Sequence, residues 1–237
     1  MRLALIGASG FVGSRVLAEA VQRGHRVSAL VRDVTRLPDR AASQVSPLAC
    51  DILRTGSLPE VLRGHDAVIS AYNPGHDIDR NPQLYRDIVE GAVAMQRAVR
   101  LAAVPYFVYI GGAGSLLRRP GLRVADDPGF PGDYSVGVPE ALQHFARQKQ
   151  RSIDVPLAGR VTFLLFEHER SFRWSYLSPP LFMQPGVRSG RYVEGTDQFP
   201  WRGAAPAGIS IEDFAVAVLD ECEQQRHVYG HYTVTAD

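Results

Sequence analysis

The stretch that decides the fold is Leu3-Ala4-Leu5-Ile6-Gly7-Ala8-Ser9-Gly10-Phe11-Val12-Gly13. Leu3 to Ile6 is a short, unbroken apolar run, as expected of a strand buried on both faces. Three glycines follow as Gly-x-x-Gly-x-x-Gly. Beyond them Val12, Val16, Leu17, Ala20 and Val21 recur on one face of a helix that ends near Gly24. Residues 26–31, Arg-Val-Ser-Ala-Leu-Val, form a second apolar strand. A glycine triplet alone is weak evidence; between a strand and a helix it is specific. The glycines let the backbone turn tightly and approach a pyrophosphate, whose charge sits on the helix N-terminus. The alternative is a tight turn with no ligand.

The unit repeats along the chain. Residues 45–50 read as a third strand. Pro47 interrupts it, which suits an edge strand and matches the sheet order 3-2-1-4-5-6. Residues 57–63 form a short helix, and Ala67-Val68-Ile69-Ser70 a fourth strand. A loop rich in Asn, Pro, Gly and Asp covers 72–82. Leu84, Ile88, Ala92, Met95 and Val99 then mark one stripe of a helix that stops before Pro105. Residues 106–110 are a fifth strand opening into Gly111-Gly112-Ala113-Gly114. Right-handed crossovers between such strands build an α/β, doubly wound parallel sheet.

The C-terminal part is expected to hold a long loop over 111–139, a helix over 139–150 and another helix that includes 161–166. A sixth strand follows over 174–177. Residues 179–206 are rich in Pro and Gly. Their Phe182, Tyr192, Phe199 and Trp201 are expected either to form a small hydrophobic lid or simply to pack. Ser210-Ile211-Glu212-Asp213 is a helix-cap pattern, and residues 232–235 a closing strand. The chain reads as a single domain, 1–237, with a substrate-facing lobe at about 174–210.

Composition removes several function classes. The chain has 237 residues, 26 basic against 25 acidic, for a net charge of +1. With no long-range field, neither nucleic acid nor a membrane surface is an expected partner. Lys149 is the sole lysine; every other basic residue is arginine. A phosphate loop ending in Gly-Lys-Ser/Thr is therefore absent, and a Schiff-base enzyme would need Lys149 desolvated. Cys50 and Cys222 make no disulfide framework and suit a reducing compartment. No signal-peptide pattern and no apolar run of about 18 residues is present, so a cytoplasmic protein is expected.

Eight motifs carry a family resemblance. They are Gly-Ala-Ser-Gly-Phe-Val-Gly at 7–13, Ala-Leu-Val-Arg at 29–32, Cys-Asp-Ile at 50–52, Ala-Val-Ile-Ser-Ala at 67–71, and Tyr-Ile-Gly-Gly-Ala-Gly-Ser at 109–115. To these add Trp-Ser-Tyr-Leu-Ser-Pro-Pro at 174–180, Pro-Gly-Val-Arg-Ser-Gly-Arg-Tyr at 185–192 and Ile-Ser-Ile-Glu-Asp-Phe-Ala at 209–215. The chain resembles the atypical short-chain dehydrogenases/reductases, in the NmrA-like, biliverdin-reductase-B-like and NADH-flavin-reductase-like branch. The resemblance implies a nicotinamide dinucleotide on Gly7, Ala8, Ser9, Gly10, Phe11, Val12 and Gly13. It implies Arg32 at the adenosine ribose, and Asp51 near the adenine with Cys50 and Ile52 around it. Ser70, Ala71 and Tyr72 would pass under the ribose and nicotinamide. Gly111 and Gly112 would floor the nicotinamide pocket, and Ser178, Pro179 and Pro180 would close it. A guanidinium at position 32 fits a 2′-phosphate, which favours NADP over NAD; the neighbouring Asp33 pulls the other way.

The chain also departs from the family. Standard members use Tyr-x-x-x-Lys, in which the lysine lowers the tyrosine pKa for proton exchange with a carbonyl or alcohol. Here Phe145 stands four positions before Lys149, and Val138 four after Tyr134. Glycines occupy the usual serine position after strand five, with Ser115 three residues beyond. Alcohol dehydrogenation, epimerisation and dehydration all need the missing pair. The expectation is instead an NADP(H)-dependent oxidoreductase reducing a flavin, quinone or other conjugated small-molecule acceptor. The alternative is a non-catalytic NADP(H) sensor acting on a regulatory protein partner. Weak catalytic candidates are Ser115, Tyr134 and His76, the last paired with Asp77; His144 is a further pocket donor. Glu167-His168-Glu169-Arg170 lacks a second histidine at ligand spacing and reads as a solvated helix end, so no metal is expected. Arg118, Arg119 and Arg123 read as a solvated loop or a clamp on an acidic substrate.

Overall fold

A computed structural model describes residues 1–37, 42–130, 132–138, 140 and 154–237. The glycine-loop unit is β1 (Arg2–Ile6), α1 (Gly13–Gln22) and β2 (Arg26–Val31). Then come β3 (Val45–Ala49), α2 (Leu58–Leu62), β4 (Ala67–Ser70), α3 (Leu84–Ala102) and β5 (Phe107–Ile110). A small hairpin, β6 (Leu117–Arg119) and β7 (Leu122–Arg123), precedes α4 (Asp154–Glu167) and β8 (Trp174–Ser178). Short strands follow: β9 (Phe182–Gln184), β10 (Val193–Gly195), β11 (Trp201–Arg202), β12 (Ala205–Pro206) and β13 (Gly208–Ser210). The chain closes with α5 (Ile211–Gln224) and β14 (Gly230–Thr235).

The main sheet has eight strands in the order β10-β14-β8-β5-β4-β1-β2-β3. Every neighbouring pair is parallel except β10 with β14. Strand β3 lies at the edge, where Pro47 faces Ala29 and removes no interior ladder bond. This is the doubly wound order, extended by β14 and capped by one antiparallel strand. The period-two alternation of β1 divides the core. Leu3 and Leu5 face one layer with Val16, Leu17, Phe214 and Val218 of α1 and α5. Ala4 and Ile6 face the other, with Met95 and Val99 of α3 and Phe163 and Phe166 of α4. Each fully buried Leu, Ile or Phe contributes roughly 1.5–3 kcal/mol by leaving water.

The loop expected over 111–139 holds more structure than that. The β6–β7 hairpin and three single 3-10 turns hang on a third, small core of Leu116, Val124, Tyr134, Val138, Leu181, Phe182 and Phe199. Of the two expectations for the aromatic residues of 179–206, a lid or simple packing, the structure shows packing. Phe182 and Phe199 are buried in this third core, and Tyr192 packs on the main core with its hydroxyl donating to Asp220 at 2.8 Å. Aromatic area in this lobe packs rather than covering a ligand. Of the helix expected over 139–150, only residue 140 is described; His144, Phe145 and Lys149 lie outside the described residues.

Candidate functional site

The C-terminal ends of β1, β2, β4 and β5 open into a cleft of about 630 Å³. It sits where the chain leaves β1 for β2 on one side and β4 on the other, the crevice that parallel α/β sheets leave for ligands. Its first wall is the glycine loop. Gly7 has a φ of +82°, and a Cβ there would lie 2.6 Å from the Ala71 carbonyl oxygen. A Cβ on Gly13 would lie 2.1 Å from the Gly7 carbonyl oxygen. Only glycine allows strand, turn and helix to close this far. The Gly10 N–H donates to the Gly7 carbonyl at 3.0 Å, tightening the turn. Helix α1 then begins with no side-chain cap at Val12 and no acid in its first turn. Its unpaired N–H groups and positive dipole end therefore suit an anion, and the backbone leaves room for it. A dinucleotide pyrophosphate fits this cradle.

Gly7, Ser9, Gly10, Phe11 and Val12 line the cleft, with Arg32, Cys50, Asp51, Ile52, Ala71 and Tyr72. Gly111, Gly112, Pro179, Pro180 and His76 complete the expected lining. Four expected residues stand behind the surface instead. Ala8 is packed in the core and Gly13 is pressed against Gly7. Ser70 is buried under the Tyr72 N–H, which donates to its hydroxyl at 3.4 Å. Ser178 is buried in a side-chain network with Ser115 and His231: Ser115 Oγ to Ser178 Oγ is 2.7 Å, and Ser178 Oγ to His231 Nε2 is 2.9 Å.

Burial corrects two of the catalytic candidates. Ser115 is fully buried, donates to the Gly112 carbonyl at 2.8 Å and does not reach the cleft. It braces the floor from behind. Tyr134 is also fully buried, stacked on Trp201 and donating to Asp127 at 3.0 Å. Burial, then the Asp127 hydrogen bond, pushes its phenol up to about 12. It centres the third core and meets no substrate. Arg118 is occupied by Asp127 at 2.6 Å, and the Arg123 guanidinium donates to the Ser115 carbonyl. Neither lines the cleft as a clamp on an acidic substrate. His168 is exposed just beyond α4, and among the described residues no group of three metal-ligating side chains converges.

Among the lining residues that the sequence did not point to, Arg36 is the charged one. The Asp33 carboxylate accepts the Thr35 N–H at 2.9 Å and the Thr35 hydroxyl at 2.6 Å, capping a 3-10 turn over Val34–Arg36. These bonds hold the Asp33 carboxyl below its ordinary range and away from the cleft. The same turn ends at Arg36, which lines the cleft as Arg32 does. The Asp-x-Thr cap preceding an arginine was the available signal.

Tyr72 directs its hydroxyl to the Asp87 carbonyl at 3.5 Å, and burial raises its pKa further above the ordinary value. Burial and the adjacent Asp51 likewise raise the Cys50 thiol. The loop after β4 is shaped by Asn73. Its Oδ1 accepts the Gly75 N–H at 2.8 Å, while its Nδ2 lies 3.1 Å from His76 Nε2. Val124, Phe130, Val155, Pro156, Leu181 and Met183 supply an apolar wall.

Fold and cleft together define a dinucleotide-binding α/β protein of the doubly wound type. The chain belongs to the NAD(P)H-binding family, whose sequence pattern it matches over residues 7–222. It is 31% identical to the uncharacterized protein YwnB of Bacillus subtilis, over all of this chain and 99% of that one. Among solved structures it is similar to a proposed epimerase from Bacteroides thetaiotaomicron: TM-score 0.81, 33% identity, covering 99% of this chain and 96% of the other. A proposed NADH-flavin reductase from Streptococcus pneumoniae matches with TM-score 0.77 and 25% identity over the full length of both chains. No helix among the described residues is long and apolar enough to cross a membrane.

Proposed function

We propose that the protein is an NADP(H)-dependent oxidoreductase that reduces a flavin, quinone or similar conjugated small molecule. The observation that carries this reading is the two-ended cleft. An uncapped helix N-terminus and two arginines stand at one end, and an apolar wall at the other. In this reading the 7–13 loop holds the pyrophosphate. Arg32 and Arg36 take the 2′-phosphate through charge-assisted hydrogen bonds. Cys50, Asp51 and Ile52 surround the adenine, and Ala71 and Tyr72 pass under the ribose, with Ser70 behind them. Gly111 and Gly112 floor the nicotinamide, and Pro179 and Pro180 close over it, braced by Ser178. Asp33, spent on its own turn, does not compete for a 2′-hydroxyl.

A bound dihydronicotinamide supplies the hydride, while the protein supplies position and exclusion of water. The only lysine follows Phe145 at four positions, so no tyrosine–lysine pair is available to protonate an alcohol-level product. A conjugated acceptor, which stabilises the added electron pair itself, suits such a site. The flavin-reductase name of the Streptococcus pneumoniae neighbour supports the same chemistry. Both cysteines are free thiols, which suits a reducing compartment such as the cytoplasm.

The test is NADPH oxidation by purified protein with FMN, a naphthoquinone or a linear tetrapyrrole supplied. Turnover with at least one of these is expected. Tight NADPH binding with no acceptor turned over would replace the reductase with a nucleotide-responsive regulatory protein.

A further inference from the structure

We infer that Gly159 is a positioning residue: its bare α-carbon sets the height of the nicotinamide floor, and with it the distance over which hydride passes. The inference rests on the reductase reading above and adds a residue that stands behind the cleft surface. Residues 111–114, Gly-Gly-Ala-Gly, are pressed from behind by α4 and β8. A Cβ on Gly111 would overlap the Tyr176 ring, and one on Gly114 would overlap the Pro156 carbonyl. Gly112 meets the α4 backbone itself. A Cβ on Gly159 would lie 3.3 Å from the Gly112 Cα and 3.5 Å from its N and O. Glycine on both sides lets helix and floor approach this closely. Gly111, Gly112, Val155 and Pro156 line the cleft, whereas Gly159 and Tyr176 do not.

The α4 backbone is fixed at this same turn. The Tyr176 hydroxyl donates to the Gly159 carbonyl at 2.9 Å and lies 2.7 Å from the Thr162 hydroxyl, which ties β8 to α4. Tyr176 is fully buried, with its ring against Tyr109, Phe163 and Phe166. Strand, phenol and helix backbone thus form a stop behind Gly112. Gly111 is held sideways, because its N–H donates to the Leu177 carbonyl at 2.9 Å. Beside Gly112 lies a side pocket of about 40 Å³, bounded by Gly111, Gly112, Val155, Gly159 and Thr162 among others. Gly112 therefore leans on Gly159 next to a space, and not on a filled layer. A Cβ at 3.3 Å is closer than ordinary contact, so Gly112 must give by a few tenths of an ångström.

Hydride transfer is sensitive to such a shift. The C4–H bond of the dihydronicotinamide breaks, its hydrogen and electron pair pass to the acceptor, and the acceptor takes a proton from water. NADPH, one proton and the acceptor become NADP⁺ and the reduced acceptor. The reacting atoms must stand about 3–3.5 Å apart, and a misplacement of about 1 Å costs up to about 10²-fold. Nucleotide affinity has its charged anchors elsewhere. Arg32 and Arg36 follow β2, which stands three strands from β5 in the sheet. Moving the floor at Gly112 should therefore slow the chemistry without loosening the nucleotide.

The experiment is single-turnover oxidation of bound NADPH by FMN, a naphthoquinone or a linear tetrapyrrole, in wild type, Gly159→Ala, Gly159→Val and Thr162→Val. Gly159→Ala should slow the hydride step about three- to tenfold and Gly159→Val about 10²-fold, while the NADPH dissociation constant stays within about twofold. Thr162→Val removes a buried hydroxyl from the same stretch of α4 but keeps the Tyr176 bond to Gly159, so its hydride step should stay near the wild-type rate. Alanine suits a helix interior better than glycine, so Gly159→Ala should melt no lower than wild type. A merely structural glycine would give that melting result with an unchanged rate. In a crystal structure of Gly159→Ala, Gly112 should stand displaced toward the cleft relative to β5. A wild-type rate in both Gly159 variants overturns the assignment, as does NADPH affinity lost in step with rate, or Thr162→Val slowed as much as Gly159→Ala. Absence of turnover with every acceptor in wild type instead removes the reductase reading, and an unmoved Gly112 in the Gly159→Ala structure then overturns the positioning contact separately.

Discussion

Arg32 and Arg36 stand four positions apart, Arg32 just before and Arg36 at the end of a turn that Asp33 caps with its own carboxylate. In the proposed function, nucleotide choice is decided at this residue scale. A hydrogen bond to a charged group is worth about 1.5–3 kcal/mol, roughly one to two powers of ten in affinity. Replacing either arginine with Ala should therefore weaken NADPH binding about 10- to 100-fold and leave NADH binding nearly unchanged, as read by nicotinamide fluorescence titration. Equal losses for both nucleotides would remove the 2′-phosphate role. Asp33→Asn should change the NADPH-to-NADH ratio little, because the carboxylate already serves Thr35. Arg32 was legible in the sequence because it directly follows an apolar strand. Arg36 was not, because its position depends on a side-chain cap and not on strand or helix periodicity.

At the scale of elements, buried charge latches the C-terminal lobe to the glycine-loop helix. Glu19 of α1 is almost fully buried, and Arg188 grips it with two bonds of 2.7 and 2.8 Å while Arg23 adds a third at 2.7 Å. These hold the Glu19 carboxyl below its ordinary range, the Arg188 bonds foremost and against the opposing pull of burial. Gly186 N–H donates to Glu212 and Gly190 N–H to Asp213, both at 2.8 Å, so residues 186–190 are pinned to α5 as well. Arg188→Gln should cost about 1–2 kcal/mol in urea unfolding, below the value for a buried pair because the Arg188 side chain is 40% exposed.

On the opposite side, His231 of β14 lies between Phe163 and Tyr176 and hydrogen-bonds Ser178 and Ser115. Burial, then the nearby Arg123, depresses its pKa from 6.5 to about 3. The folded protein thus keeps this ring neutral where the unfolded chain protonates it. The unfolded state binds the extra proton between these two pKa values, so stability falls as pH drops below about 6.5, by up to ~1.4 kcal/mol per pH unit. His231→Gln should flatten this part of the pH dependence in urea titrations at pH 7, 6 and 5. An identical slope in both proteins would show that His231 is not the group responsible.

Elements built from local pattern were readable: the apolar stripe of α3, the strand runs of β1, β2, β4 and β5, and the Ser210 cap of α5, whose hydroxyl accepts the Asp213 N–H at 3.0 Å. The third core was not. Tyr134 meets Phe199, 65 positions away, and an aromatic that closes such a contact has the same sequence signature as one that covers a ligand. Ser115 was misjudged for the same reason, since its partners Ser178 and His231 come from distant strands.

For the whole molecule, the cleft is made by loops from both halves of the sheet: Gly7, Ser9–Val12 and the turn after β2 on one side, Gly111, Gly112, Pro179, Pro180, Leu181 and Met183 on the other. A nucleotide spanning it touches segments that meet only in the folded chain, so it must stabilise folding as a unit. At a free concentration of 100 times its dissociation constant the stabilisation is about 2.7 kcal/mol. For a chain of 150–250 residues, each kcal/mol moves the midpoint by roughly 2–4 °C. NADP⁺ at that excess should raise Tm by about 5–11 °C in a thermal scan. The same concentration of NAD⁺ should do far less, and Arg32→Ala should bring the two nucleotides together. A midpoint that ignores NADP⁺ would mean that the two walls of the cleft are not bridged by a dinucleotide, whatever the glycine loop alone can hold.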